Sequence, residues 1–183
     1  MKKLIFCILP LIVVIMCSCG NMTEEVQLWF INPSVSNIDF DLVGVTGSAE
    51  FTYYNQSNNK ILFTSGDGLE GVEFRFVDGT VTAARDGLVW ETTTEMAETL
   101  SLFGKLYSHA ASQTYNANRT NTDNDQYVTD TFPYLDGNFE VVFSKETAKP
   151  YILTYTQDSN TVKLKITDIR LILDQDTIEQ TEE

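Results

Sequence analysis

Hydrophobic and polar residues alternate with period two along most of this chain, the pattern of strands with one buried face. Val72, Phe74 and Phe76 alternate with Glu73 and Arg75, and Phe139, Val141 and Phe143 alternate across Glu140. Tyr151, Leu153 and Tyr155 line one side of a run that begins at Pro150. Turn chemistry bounds these runs: Asp78-Gly79, Asp136-Gly137 and Asp158-Ser159-Asn160 are short turn signals between apolar segments. Val26 to Ile31, Ile38 to Val45, Ala49 to Tyr54, Ile61 to Thr64, Val81 to Ala84 and Val89 to Glu91 supply further strands. Together they predict an all-antiparallel meander.

The last strand carries a defect. Val162, Leu164 and Ile166 occupy even positions, whereas Ile169, Leu171 and Leu173 occupy odd ones, so parity flips at Thr167-Asp168. A one-residue slip turns every later side chain to the other face, and a β-bulge or bend at this point repairs it. One segment leaves the strand pattern altogether. Thr92-Thr-Thr-Glu95 is a capping box that opens a helix to Ser112. Met96, Leu100, Phe103, Tyr107 and Ala110 follow helical spacing, and Leu102 and Leu106 widen the apolar face, predicting a helix buried nearly all round. Residues Gln113 to Asp125, rich in Asn and Thr and without periodicity, read as a long surface loop.

The N-terminus has a different logic. Lys2 and Lys3 precede an apolar run from Leu4 to Met16, which ends in Cys17-Ser18-Cys19-Gly20. Those 13 residues span about 20 Å as a helix, short of a hydrocarbon core of about 30 Å, so the run is a secretory signal and not a membrane span. Ser18 before Cys19, with Met16 three places upstream, resembles the lipobox of bacterial lipoproteins, although Met16 and Cys17 stand where Leu and a small residue are usual. That resemblance implies a signal peptide of residues 1–18 and a diacylated Cys19 as the mature N-terminus, the lipid anchor on a bacterial membrane. The alternative is an ordinary signal-peptidase cut that frees the protein. Cys7 and Cys17 leave with the signal, so lipid on Cys19 would account for the one remaining thiol. Residues 19–25 then form a tether, 26–173 one β domain, and 174–183 (DQDTIEQTEE) an acidic tail.

Charge narrows the function. The 183 residues hold 12 cationic and 26 acidic side chains and one His, a net charge of −14 that becomes −16 once residues 1–18 are removed. Nucleic acid is excluded as a partner, since counterion release needs a basic footprint. Anionic headgroups are repelled by such a domain as a whole, leaving the anchor to hold it down. A single His removes the multi-imidazole zinc sites and most hydrolase templates. His109 falls near the helix end, where a protonated imidazole suits the dipole, a capping or surface role. Asp123-Asn-Asp125 to Asp130 imitates a calcium loop but lacks Gly at its sixth position and Glu at its twelfth, and reads as a solvated loop. No phosphate-binding glycine loop, nucleophile elbow or CxxC motif is present. No cofactor, metal or catalytic residue is expected.

The order Ser65-Gly-Asp-Gly-Leu-Glu-Gly-Val-Glu-Phe-Arg-Phe-Val-Asp-Gly79, Asp86-Gly-Leu-Val-Trp-Glu91, apolar helix, Gly137-Asn-Phe-Glu-Val141, Lys149-Pro-Tyr-Ile152 and Val162-Lys-Leu-Lys-Ile-Thr-Asp168 resembles the LolA-like lipoproteins and periplasmic lipid carriers, including the LppX and LprG type. The resemblance covers most of residues 26–173 and implies a mainly β fold, a curved, incomplete antiparallel half-barrel around an apolar helix, with a cavity for acyl chains. Candidate cavity residues are Phe40, Phe51, Tyr53, Phe63, Phe74, Phe76, Leu100, Phe103, Tyr107, Phe139, Val141 and Phe143. Aromatics of this kind line ligand pockets and equally fill cores. The expected function is binding or transfer of a lipid or other hydrophobic ligand without catalysis. The second reading is a non-catalytic interaction module that holds or activates a cell-envelope protein.

Overall fold

The computed structural model describes residues 22–172 apart from 43, 67, 93, 114, 116–118 and 122–125, with the backbone alone at 22, 23, 94–100 and 121. The signal, Cys19 and the acidic tail therefore lie outside the described residues. Eleven strands form one antiparallel sheet: β1 (Ser34–Leu42), β2 (Val45–Asn55), β3 (Asn58–Ser65), β4 (Glu73–Val77), β5 (Thr80–Arg85), β6 (Leu88–Glu91), β7 (Arg119–Asn121), β8 (Tyr127–Tyr134), β9 (Gly137–Ser144), β10 (Pro150–Gln157) and β11 (Asn160–Leu171). Among the described residues two helices accompany them, α1 (Met22–Ile31) and α2 (Thr94–Ser112). Strand order is β6-β5-β4-β3-β2-β1-β11-β10-β9-β8-β7, so β6 and β7 are the edges and the sheet does not close. This is the expected open half-barrel.

Inward positions follow the pleat. Ile38 and Phe40 on β1, Phe51 and Tyr53 on β2, Ile61 and Phe63 on β3, and Phe74 and Phe76 on β4 are all buried. Across β1 they join Leu164 and Ile166 of β11, then Leu153 of β10 and Phe139, Val141 and Phe143 of β9. The β4–β5 hairpin turns on Asp78 and Gly79 alone, both at positive φ (47° and 83°), as a two-residue turn of matching twist requires. At Gly137 a Cβ would meet the Thr156 carbonyl at 2.3 Å, so only glycine lets β9 start this close to β10. The parity flip in β11 is a bulge: Asn37 pairs with Asp168 and Ile38 with Ile166, leaving Thr167 unpaired between them. Thr167 turns its hydroxyl back to donate to the Asn37 carbonyl at 3.1 Å, and Ile169 regains the buried face.

Several expectations are corrected. Val26 to Ile31 is not a strand but part of α1, which buries Val26 and Phe30, one helical turn apart, and packs against α2. The sequence Val-Gln-Leu-Trp-Phe satisfies both periods over so few residues, and four-residue spacing wins because the partner is a helix. Of the run from Asp123 to Asp130 expected as a solvated loop, residues 127–130 are strand, and 123–125 lie outside the described residues. This strand, β8, has Val128, Asp130 and Phe132 inward. The stretch from 113 to 125 contains the edge strand β7 and a fully buried Tyr115, whose hydroxyl donates to the Ala110 carbonyl at 3.1 Å. Tyr151 does not share a face with Leu153 and Tyr155. The register slips between Pro150 and Ile152, which turns Tyr151 out to stack on Tyr127, their centroids 4.9 Å apart.

Candidate functional site

The described core is one cluster of buried residues drawn from the sheet, α1 and α2. Phe103, Leu106, Tyr107 and Ala110 recur at helical spacing and are wholly buried. The predicted helix therefore forms, but among its described side chains it is buried on one face and not nearly all round, with Lys105 and Ser112 exposed and Leu102 half-buried, and its start differs in detail. The helix begins at Thr94, and Thr92 Oγ1 is buried without a hydrogen-bond partner, so Thr92 does not cap it.

Eleven of the twelve candidate cavity residues come together in this cluster: Phe40, Phe51, Tyr53, Phe63, Phe74, Phe76, Phe139, Val141 and Phe143 from the sheet, and Phe103 and Tyr107 from α2. Leu100 belongs to α2, and its side chain lies outside the described residues. The rings form a connected network. Tyr107 meets Phe51 at 4.8 Å, Phe30 at 5.4 Å and Tyr53 at 5.6 Å. Phe103 meets Phe51 at 5.9 Å and Phe40 at 6.1 Å, and Phe40 continues through Phe63 to Phe74. A second network lies under β8 and β9, where Tyr115 contacts Phe132 and Phe143. Phe30, Tyr115 and Phe132 are not among the candidates, because each sits in a segment whose periodicity points elsewhere.

The polar content of the site is small. Tyr107 donates to Ser36 Oγ at 3.0 Å, and burial raises its pKa far enough to keep the phenol protonated. Tyr53 is also raised by burial, with a hydrogen bond to Ser108 acting the other way. Tyr115 is raised by burial and then by the neighbouring Asp130 charge. Asp130 is fully buried and held in a two-pronged pair by Arg119, Nε to Oδ1 at 2.8 Å and a terminal nitrogen to Oδ2 at 2.9 Å. Among the described residues, no group of three His, Cys, Asp or Glu side chains is placed to hold a metal.

His109 departs from the charged role expected of it. Its ring stacks on Tyr134 at 4.1 Å and meets Phe139 edge-on at 5.2 Å. Burial lowers its pKa from 6.5, against a smaller opposing effect of the Pro133 backbone. A depressed folded pKa gives stability that is present above 6.5 and lost as the pH falls through the folded value. The difference in urea midpoint between the native chain and His109→Gln is therefore expected to shrink on going from pH 7.5 to pH 5, about two units around the free-imidazole pKa. A difference that stays constant over that range would show that the imidazole does not titrate with folding.

The apolar surface does not stop at the core. On the edge strand β6, Trp90 pairs with the fully buried Ala83 and so lies on the inner face, as does Leu88 two residues away. Trp90 is nevertheless 43% and Leu88 71% exposed. The inner face thus runs from the aromatic network out to an open apolar lip.

A half-open antiparallel sheet with an aromatic inner face beside a helix is the arrangement that the resemblance of the sequence to the LolA-like proteins implies. The fold is similar to that of an uncharacterized conserved protein from Thermus thermophilus, with a TM-score of 0.51 at 9% identity over 88% of this chain and 93% of that one. It is also similar to the lipoprotein LppX of Mycobacterium tuberculosis (0.44, 12%, 86% and 99%) and to a LolA superfamily protein of Nitrosomonas europaea (0.38, 7%, 86% and 94%). No family model and no curated protein matches the sequence.

Proposed function

We propose that the protein is an extracytoplasmic lipoprotein, anchored to a bacterial membrane through lipid on Cys19, that binds or transfers a lipid or other hydrophobic molecule at the inner face of its sheet. The observation that carries this reading is the continuity between the aromatic network around Phe103 and Tyr107 and the exposed lip of Leu88 and Trp90. A soluble domain gains nothing in water from exposing large apolar groups, and such a surface next to an apolar interior is where an acyl chain enters. Phe40, Phe51, Tyr53, Phe63, Phe74, Phe76, Leu100, Phe139, Val141 and Phe143 belong to the same proposed lining. No covalent step is needed, so the protein acts without catalysis.

Native mass spectrometry with lipid extraction, on the chain from Gly20 purified from its host without detergent, tests the reading. The expected result is a stoichiometric co-purifying lipid. A chain that is empty as purified, and still empty after incubation with envelope lipids, overturns it.

One observation favours a protein partner as the second reading. Val89, on the opposite face of β6 from Trp90, is 70% exposed, so this edge strand presents apolar side chains on both faces, with Glu91 its one charged residue and no Lys or Pro. Strand addition by an envelope protein would use such an edge. An empty chain in the experiment above directs the search to that edge.

A further inference from the structure

The outer side of α1 and the turn between β9 and β10 form a second surface that the inner face does not explain. Trp29, on α1, carries Lys149 Nζ over its ring at 5.1 Å. On the same helix Leu28 is 50% and Ile31 56% exposed. Beside the turn, β10 pairs with β11 only as far as Ile152 and Lys165, so residues 166–171 of β11 have β1 on one flank and a groove of about 280 Å³ on the other. Tyr127, Lys149, Tyr151, Ile166 and Asp168 are among its lining residues, and Lys165 Nζ lies 5.8 Å from the Tyr151 ring. Tyrosine and tryptophan rings with lysine stems, next to protruding aliphatic side chains, are the groups that settle at a membrane–water interface.

Charge and chain length point the same way. Residues 145–170 hold five of the ten cations that follow residue 18 (Lys145, Lys149, Lys163, Lys165 and Arg170) and only three acids (Glu146, Asp158 and Asp168). Lys163 and Lys165 stand opposite Asp41 and Asp39 across the β1–β11 pair, and Glu24 and Glu25 occupy the first turn of α1. The cation placed against α1 is Lys149. Cys19 precedes Met22 by three residues, and the ten residues of α1 are about 15 Å long, so Ile31 stays within about 25 Å of Cys19.

We propose that the Trp29–Lys149 face, with Leu28 and Ile31, rests on the interfacial layer of a phospholipid bilayer and fixes the orientation of the anchored domain. The proposal rests on the reading of Cys19 as the lipid attachment point. The net charge of the domain repels anionic headgroups overall, so the apolar side chains of this face and the anchor carry the attachment, with Lys149 as the cation beside Trp29.

The two tryptophans, Trp29 and Trp90, make the proposal testable. Every described core residue lies between Val26 and Ile169, so the chain from residue 19 keeps the whole described core. Its single thiol, Cys19, is coupled to a maleimide phospholipid in vesicles of equal parts phosphatidylethanolamine and phosphatidylglycerol with brominated acyl chains. In the Trp90→Phe chain, Trp29 emission is expected to fall at least about twofold relative to unbrominated vesicles, as for a ring at the interface. In the Trp29→Phe chain, any loss of Trp90 emission reports acyl chains at the inner-face lip and not docking of α1. Adding Ile31→Asp and Lys149→Glu to the Trp90→Phe chain should restore Trp29 emission without changing the circular dichroism. Trp29 as bright as in unbrominated vesicles, whether or not Trp90 is quenched, overturns the proposal. The mass of full-length protein purified from its host tests the anchor separately. A missing diacylglyceryl mass with quenched Trp29 removes the anchor reading alone, and a lipidated protein with bright Trp29 removes the docking face alone.

Discussion

Tyr107→Ala is expected to lower the free energy of unfolding by about 3–5 kcal/mol, the range for deleting a large buried aromatic side chain. Tyr107 is wholly buried at the middle of α2 and touches Phe30, Phe51 and Tyr53, so three elements lose a shared contact at once. None of these neighbours can collapse into the gap without leaving its own partners. Tyr107→Phe removes only the hydroxyl and the hydrogen bond to the buried Ser36, and is expected to cost about 1 kcal/mol. Urea unfolding of the two variants beside the native chain separates packing from hydrogen bonding. Equal losses would mean that the ring contributes little and the hydroxyl most.

The second large effect concerns Arg119. Arg119→Leu leaves the carboxylate of Asp130, fully buried, without its guanidinium, and such a broken buried pair costs about 3–5 kcal/mol. The Arg119 guanidinium also lies 5.0 Å from the centre of the Phe143 ring, so the edge strand β7 loses its hold on the core as well. Adding Asp130→Leu removes the stranded charge, and the double variant is expected to regain most of the loss because two apolar groups replace the pair. Thermal unfolding of the single and double variants checks this. A double variant no more stable than Arg119→Leu would show that the pair supplies more than the neutralisation of a buried carboxylate.

Asp130 also explains why β8 escapes a reading of the sequence. Val128, Asp130 and Phe132 occupy successive inward positions, and an acid in the middle breaks the apolar alternation that reveals β9 next to it. Its partner Arg119 is in a strand of three residues, too short to show a period. The sign of a strand was there only in the pairing of the two charges across the sheet, which sequence spacing does not display. The bulge at Thr167 was legible because β11 continues for several residues on both sides with its parity reversed. α1 was not, since Val26, Leu28 and Phe30 fit a strand and Val26 with Phe30 fits a helix, and only the neighbour α2 decides between them. The part of the aromatic cluster on β1 to β4, β9 and α2 could be named because strand parity and helix spacing both point inward, whereas Phe30, Tyr115 and Phe132 could not. The lip at Leu88 and Trp90 could not. Alternation tells which face a side chain takes, and exposure at the end of a sheet depends on where the sheet stops.

One pairing in the sheet separates this chain from a simple meander. Each strand lies beside its sequence neighbour except at the centre, where β1 meets β11. The two flanks, β1 to β6 and β7 to β11, are built from local hairpins and can form early, whereas their joining waits for a contact between residues 34–42 and 162–171. On the extracytoplasmic reading proposed above, a chain that crosses the membrane N-terminus first has no complete core until residue 171 has crossed. Until then it would travel as an unfolded polymer, open to the export machinery and also to proteases, and it becomes a domain only when β11 arrives.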